Sequence, residues 1–322
     1  MDGSPLKPVI AIVVPCYNEE EVLTETAKKM SGKIQELVSE QKISEKSFLV
    51  FVDDGSKDKT WIIIEKLHGE NSGVFRGIKL SKNRGHQNAL LCGLLFVKNM
   101  VDAAISIDAD LQDDIEVIDQ MLECFGSGTE IVCGIRLDRK NDGFFKRTSA
   151  RFFYRVMDFL GAGLIHDHAD FRLMGRSALE ALAEYSETNI FLRGIIPLLG
   201  FRTGNVNYKR KERSAGTSKY NFKKMLNLAI GAITSFSTRP LRLIGILGVL
   251  LFTGSLIYAV YLGIKHLSGL NQSVLSAILC SIWGLGGLII LSIGIVGEYI
   301  GKIYSETKGR PRYHIEKLLF HM

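Results

Sequence analysis

Charge is almost absent between Leu243 and Gly297. Lys265 is the only formal charge in that stretch, so every other Asp, Glu, Lys and Arg of the chain lies outside it. That division excludes a purely soluble protein and equally excludes a transporter built of spans throughout. Cysteine is scarce and unpatterned. The five (Cys16, Cys92, Cys124, Cys133, Cys280) are odd in number and include no C-x-x-C pair. This leaves neither a disulfide framework nor a zinc site, and fits a reducing compartment. Low-complexity sequence is lacking in the aliphatic-rich N-terminal two thirds, which excludes disorder. No G-x-x-x-x-G-K occurs, and Gly161-Ala162-Gly163 lacks the third glycine of a dinucleotide fingerprint. A secretory signal is missing too: the first apolar run, Val9–Val14, is too short for one and reads as a buried strand.

The region divides into two uncharged segments, Leu243 to Ile264 and Val274 to Gly297, around a short linker with one Lys and one His. A spanning helix needs about 20 residues, and each segment reaches that length. Two transmembrane helices are therefore expected, with buried core helices as the alternative. Lys223, Lys224, Arg239 and Arg242 precede the pair; Lys302, Lys308, Arg310, Arg312 and Lys317 follow it. The positive-inside rule puts both flanks in the cytoplasm. The net charge of +6 is modest and its excess is local, which favours a membrane surface or a phosphate ligand over nucleic acid. Phe222–Phe236 carries Phe222, Met225, Leu226, Ala229, Ile230, Ile233 and Phe236 at helical spacing, and reads as an interfacial helix leading into the first span. Phe145, Phe152, Val156 and Phe159 form a similar stripe, open to either interfacial or ordinary packing.

From Val9 to Ile135, β-branched runs alternate with amphipathic segments. The runs are Val9–Val14, Phe48–Val52, Val74–Leu80, Ala103–Ile107 and Glu130–Ile135; the segments include Glu20–Val38 and Gln87–Val97. Fully apolar strands alternating with helices predict an α/β fold with a mostly parallel sheet, whose ligands bind beyond the carboxyl ends of the strands.

Four polar clusters start where strand runs stop: Pro15-Cys16-Tyr17-Asn18-Glu19, Asp53-Asp54-Gly55-Ser56, Lys82-Asn83-Arg84-Gly85-His86-Gln87 and Asp108-Ala109-Asp110-Leu111-Gln112-Asp113. One Asp pair after a strand is commonly a helix cap. Four clusters on one sheet edge are not explained by capping. Asp108 and Asp110 point the same way on an extended chain, so they can present oxygens to one hard cation of the kind that bridges nucleotide phosphates.

The ordered set P-x-Y-N-E, D-D-G-S and D-A-D-L-Q-D resembles the family 2 glycosyltransferases of GT-A fold. With Asn83–Gln87, the two spans, Gly297-Glu298-Tyr299-Ile300-Gly301-Lys302-Ile303-Tyr304 and Gly309-Arg310-Pro311-Arg312-Tyr313, the chain is similar over its whole length to the bacterial polyisoprenyl-phosphate glycosyltransferases. These include the bactoprenol glucosyl transferases and are related to dolichol-phosphate mannose synthase. The resemblance implies a GT-A catalytic domain over 1–220, an interfacial helix over 221–240, two transmembrane helices within 241–300 and a basic cytoplasmic tail over 301–322.

The same resemblance implies roles. Pro15, Tyr17 and Glu19 would hold the base and ribose, with Val52 and Asp54 closing that pocket. Asp108 and Ala109 would contact the sugar nucleotide, and Asp110 with Gln112 would bind Mg²⁺ or Mn²⁺. Arg136 would lie near the donor phosphates, and Arg147, Arg213 and Lys219 near the lipid phosphate, where an arginine fork suits a phosphate monoester. His86 is expected to orient a loop, and Asp170 with Arg172 to pair near the site. Glu187 falls where processive relatives place a general base, but their Q-x-x-R-W signature is absent, since Trp61 and Trp283 lack that context. A single transfer is therefore expected.

The implied reaction moves one hexose, glucose first and N-acetylglucosamine second, from a UDP-sugar to a polyprenyl phosphate at the plasma membrane, with inversion. A homo-oligomer (a tetramer by resemblance), a flippase and a downstream transferase are the implied partners, with no nucleic acid. The rivals of another class are a membrane-tethered nucleotide-sugar-binding module without turnover and a scaffold for a flippase.

Overall fold

The computed structural model describes residues 7–110, 112–136, 168–187, 192–209, 239–267 and 274–320, which fall into two compact units. The first is built on one eight-stranded sheet. Its strands are β1 (Ile10–Cys16), β2 (Phe48–Asp53), β3 (Phe75–Leu80), β4 (Ala103–Ser106), β5 (Ile131–Arg136), β6 (His168–Gly175), β7 (Thr203–Tyr208) and β8 (Ile315–Leu319), in the order β7-β5-β6-β4-β1-β2-β3-β8. The block β3-β2-β1-β4 is parallel throughout. β6 inserts antiparallel between β4 and β5, β7 lies parallel to β5, and β8 runs antiparallel to β3. The α/β class with a mostly parallel sheet is thus observed, and the parallel block brings the carboxyl ends of β1 to β4 to one edge.

Helices α1 (Leu23–Ser39), α2 (Thr60–Glu70) and α4 (Val117–Gly126) share a core with alternate strand residues, including Ile10, Ile12, Val14, Leu49 and Phe51. The alternation follows from the two-residue period of a strand. On the opposite face lies α3 (His86–Val97), apolar nearly all round and buried at Ala89, Leu90, Leu91, Cys92, Gly93, Leu94 and Val97. An all-apolar helix requires cover on every side. It packs on β1 and β2 and against α5 (Arg176–Glu184). Gly93 permits the close approach: a Cβ there would sit 2.4 Å from Val13 Cγ1 and 2.8 Å from Val52 Cγ2. A short α6 (Leu192–Leu198) completes this unit.

The second unit holds α7 (Arg239–Leu267), 29 residues, and α8 (Val274–Thr307), 34 residues. At about 1.5 Å per residue, both exceed the roughly 30 Å hydrocarbon thickness. Within α8, Gly284–Thr307 has a mean hydropathy of 1.7 and is long and apolar enough to cross a membrane. Large apolar side chains point outward, with Ile257 71% and Ile290 73% exposed. Such a surface marks a membrane or protein contact.

The C-terminal region differs from the sequence reading in two ways. α8 continues past Gly297 because the charges from Glu298 onward end the apolar run without breaking the helix; Gly309 and Pro311 follow its end. And the tail expected as a separate segment from residue 301 supplies β8, an edge strand of the sheet. Its short Ile-Glu-Lys-Leu-Leu run lacks strand alternation and gives no such signal.

Candidate active site

Three loops at the shared sheet edge are tied into one body. Asn18 N–H donates to Ser56 Oγ at 3.0 Å, and Lys57 N–H donates back to Asn18 Oδ1 at 2.9 Å. Glu19 N–H reaches Thr60 Oγ1 at 2.9 Å. The second and third loops meet at Asp54, whose two carboxylate oxygens accept from the backbone N–H groups of Arg84 (2.7 Å) and Gly85 (2.9 Å). Burial raises the Asp54 pKa, against the lowering effect of those two bonds. Gly55, at φ +67°, is required here, because a Cβ would lie 2.6 Å from the Lys82 backbone carbon.

The fourth loop is rich in oxygen donors. Asp110 Oδ1 accepts from Gln112 N–H at 3.2 Å, the bond of an Asx turn. Thr26 of α1 fixes the loop's base by donating to Ala109 O at 2.7 Å. Asp108 Oδ1, Gln112 Oε1 and Asp113 Oδ2 are buried without a hydrogen-bond partner among the described residues. Asp113 is otherwise engaged through Oδ1, which accepts from Tyr208 Oη at 2.5 Å and Arg136 Nη2 at 3.1 Å. Burial raises the Asp108 pKa, partly opposed by His86. The Gln112 and Asp113 oxygens left without a hydrogen-bond partner, with the Asp108 carboxylate that faces His86, are the oxygen donors a hard divalent cation takes, so the residues fit one.

Behind this loop is a charge cluster. His86 Nε2, at the start of α3, lies 3.4 Å from Asp108 Oδ1 and 3.4 Å from Asp170 Oδ2. Burial lowers the His86 pKa, but Asp170 and Asp108 outweigh it and the net shift is upward. His86 thus stands between the loop after β4 and β6. The expected pairing of Asp170 with Arg172 takes a different form. The bidentate partner of Asp170 is Arg193 of α6, and Arg172, fully buried, adds favourable charge nearby. Arg193 and Tyr208 escape a reading of the sequence, since neither stands in a strand-end cluster. β6 pairs with β4 although β5 comes between them along the chain, and local sequence does not disclose which elements meet.

Among the other expected residues, Pro15 pairs in register with Val52, and Val52 is wholly buried against Gly93 of α3, so its side chain is core. Tyr17 is 41% exposed at the edge. Asp108, Ala109, Asp110, Gln112 and Arg136 are brought together with Asp113. Glu187 follows α5, its carbonyl accepting from Arg312 Nε at 2.7 Å. Arg147, Arg213 and Lys219, with both amphipathic stripes, lie outside the described residues. A separate acidic trio, Glu36, Glu116 and Asp119, surrounds Lys33 Nζ at 2.6–2.9 Å and is accounted for by that cation.

Comparison with known proteins agrees with this geometry. The family described as Glycosyl transferase family 2 matches residues 11–183, and that described as GtrB C-terminal hairpin matches residues 239–303. The chain is 51% identical over 310 residues to an uncharacterized glycosyltransferase, YkoT, of Bacillus subtilis (strain 168), covering 96% of this chain and 92% of the relative. It is 40% identical over 310 residues to the SfII prophage-derived bactoprenol glucosyl transferase of Shigella flexneri, covering 96% and 97%. A prophage bactoprenol glucosyl transferase homolog of Escherichia coli (strain K12) is 38% identical over 311 residues, covering 96% and 99%.

Proposed function

The chain belongs to glycosyl transferase family 2, and from that premise we propose that it transfers one hexose from a UDP-sugar to a polyprenyl phosphate at the cytoplasmic face of the plasma membrane. The observation that carries the reading is the gathering, at one sheet edge, of four polar clusters that include the Asp108 carboxylate and the Gln112 and Asp113 oxygens without a hydrogen-bond partner among the described residues, in a chain that also carries two long apolar helices. Glucose is the favoured sugar, because full-length relatives bear the name bactoprenol glucosyl transferase. N-acetylglucosamine is the alternative.

Pro15, Tyr17 and Glu19 hold the base and ribose, and Asp54 acts by locking the second and third loops together. Asp108 and Ala109 contact the sugar nucleotide. Mg²⁺ or Mn²⁺ held by Asp110 and Gln112 would supply Lewis-acid neutralisation of the departing diphosphate. Arg136, fixed by Asp113 and Tyr208, faces the donor phosphates. Arg147, Arg213 and Lys219 bind the lipid phosphate, whose oxygen attacks the anomeric carbon in line and inverts it. The α7 and α8 helices span the bilayer with their basic flanks in the cytoplasm. A tetrameric assembly, and delivery of the product to a flippase and a downstream transferase, belong to the same reading.

The test is a panel of nucleotide sugars offered with undecaprenyl phosphate to the full chain, with the lipid product read by mass. A hexosyl-phospholipid from UDP-glucose is expected. UDP binding without UDP release across the panel would instead identify a non-catalytic sugar-nucleotide-binding module.

A further inference from the structure

The third polar cluster is only partly accounted for by the chemistry above. His86 meets Asp108 and Asp170, and Gln87 Oε1 accepts from Leu192 N–H at 3.1 Å. Arg84 has no role there, yet its backbone is held on both sides. Its N–H donates to Asp54 Oδ1 at 2.7 Å, and the following N–H, of Gly85, donates to Asp54 Oδ2 at 2.9 Å. Its carbonyl accepts from Asn88 Nδ2, in the first turn of α3, at 2.8 Å. The preceding residues press on the second loop: a Cβ at Gly55 would lie 2.6 Å from the Lys82 backbone carbon and 2.7 Å from Asn83 N. Arg84 is therefore presented from a fixed base, on the sheet edge that carries the other three clusters.

Its guanidinium is treated differently from those nearby. Arg136 bonds Asp113, and Arg193 forks Asp170. Asp54, the carboxylate that touches Arg84, gives both oxygens to backbone N–H groups and none to the guanidinium. Arg84 Nε is buried without a hydrogen-bond partner, and no ion pair engages the side chain among the described residues. An arginine cannot shed its charge, so a buried N–H left unmade carries a desolvation cost with nothing to offset it. An anion supplied from outside the protein would offset it. The planar fork suits phosphate in particular. Two phosphate sources enter the proposed reaction, the diphosphate of the sugar nucleotide and the monoester of the lipid.

We propose that Arg84 is a substrate-binding residue whose guanidinium takes a phosphate group, presented by the bonds of its backbone to Asp54 and Asn88. This rests on the sugar-transfer reading above. Because the buried Nε has no partner in the free protein, replacing the side chain should leave the free fold as stable as before. Its worth should be visible only when a phosphate is bound.

The experiment uses the full chain in nanodiscs, with Arg84→Gln and Arg84→Lys. The Kd is measured for UDP and for uridine with Mg²⁺ present, the KM for undecaprenyl phosphate at saturating sugar nucleotide, and thermal unfolding without ligand. In Arg84→Gln the melting temperature should stay within about 2 °C of wild type. Uridine, which carries no phosphate, should bind within about twofold of wild type. At least one phosphate ligand should weaken by about tenfold or more, the worth of a charge-assisted hydrogen bond. Lysine keeps the charge without the fork and should lose less than glutamine. A weaker UDP with an unchanged lipid KM assigns the phosphate to the sugar nucleotide, and the reverse assigns it to the lipid. UDP affinity and lipid KM both unchanged in Arg84→Gln would overturn the proposal, as would a lysine no better than glutamine. Uridine affinity falling in step with UDP would overturn it by marking a residue that shapes the base pocket. A lowered melting temperature without ligand would overturn it by marking a structural one. Failure of the underlying reading looks different: the wild type itself would bind UDP no tighter than uridine and show no turnover dependent on the lipid phosphate.

Discussion

Arg193 grips Asp170 with both arms of its guanidinium: Nε donates to Oδ1 and Nη2 to Oδ2, each at 3.1 Å. Burial alone would raise the Asp170 pKa. The His86 hydrogen bond and the Arg193 fork outweigh it and hold the carboxyl well below the usual range. Ser106 Oγ adds a 2.5 Å bond to the Asp170 carbonyl, so the backbone of β6 is fixed at the same point as its side chain. A fork on a buried carboxylate fixes geometry as well as charge. It ties α6 to β6 directly behind Asp108.

The sign of the pH effect follows. Because the folded pKa lies below the ordinary value of about 3.9, Asp170 contributes stability in full above that value and loses it as pH falls through and below the carboxylate range. Arg193→Gln should move the folded pKa back up, so that the loss begins at higher pH. We expect a neutral-pH destabilisation of about 1–3 kcal/mol, less than for a fully buried pair because the Arg193 side chain is 40% exposed. A fluorescence titration from pH 7 downward should show the acid transition displaced upward. Superimposable acid limbs would show the fork to be immaterial.

Asp54→Asn tests whether the donor loops depend on one carboxylate. The variant removes the desolvation cost that raises the Asp54 pKa, but it offers one carbonyl oxygen to two backbone donors, Arg84 and Gly85. An unmade bond to a charged acceptor costs about 1.5–3 kcal/mol, and that loss should dominate. Thermal unfolding with and without UDP is the measurement: a lower melting temperature and a smaller UDP-induced shift are expected. A wild-type shift would mean that the third loop holds its place without Asp54.

How much of this is legible in the sequence depends on the range of the contact. The five strands β1 to β5, and the edge on which their polar clusters meet, follow from apolar runs and local turn chemistry. Asp108, Asp110 and Gln112 are visible because they stand so close along the chain. β6, β7 and β8 do not read as strands: β7 exposes Thr203, Asn205 and Asn207 on one face, and β8 comes from a tail whose charges suggest only a membrane flank. Arg193 is illegible as a site residue for the same reason: it is defined by a partner, Asp170, that stands on a strand whose neighbours only the sheet order reveals. Val52 reads from the sequence as closing the base pocket, and the structure packs its side chain against α3.

Asp110→Asn should abolish transfer while leaving the fold intact. The carboxylate accepts the Gln112 N–H, which an asparagine carbonyl can also do, so the Asx turn survives. What is lost is one of the charged oxygens offered to a hard cation. Transfer is read with UDP-sugar and Mg²⁺, and fold by circular dichroism and UDP binding without metal. Near wild-type turnover would remove Asp110 from the site.

The last expectation concerns what the site does without. Glycosyltransferases that act on hydroxyls need a general base, because an alcohol is a poor nucleophile at neutral pH. A phosphate monoester has a second pKa of about 6, so its attacking oxygen is already largely ionised at pH 7. A carboxylate beside it would repel the acceptor and add little. Glu187, the residue placed nearest to such a role by analogy, is held here through its backbone carbonyl by Arg312. Arg147, Arg213 and Lys219 should supply positive charge around the acceptor in place of a base. Glu187→Gln should therefore retain most of its turnover, within about tenfold of wild type, where loss of a true general base costs about 10²–10⁴. In both proteins the rate should fall below about pH 6, as the acceptor takes up its second proton. A loss of several orders of magnitude in Glu187→Gln, with donor binding unchanged, would mean that the acceptor is a hydroxyl.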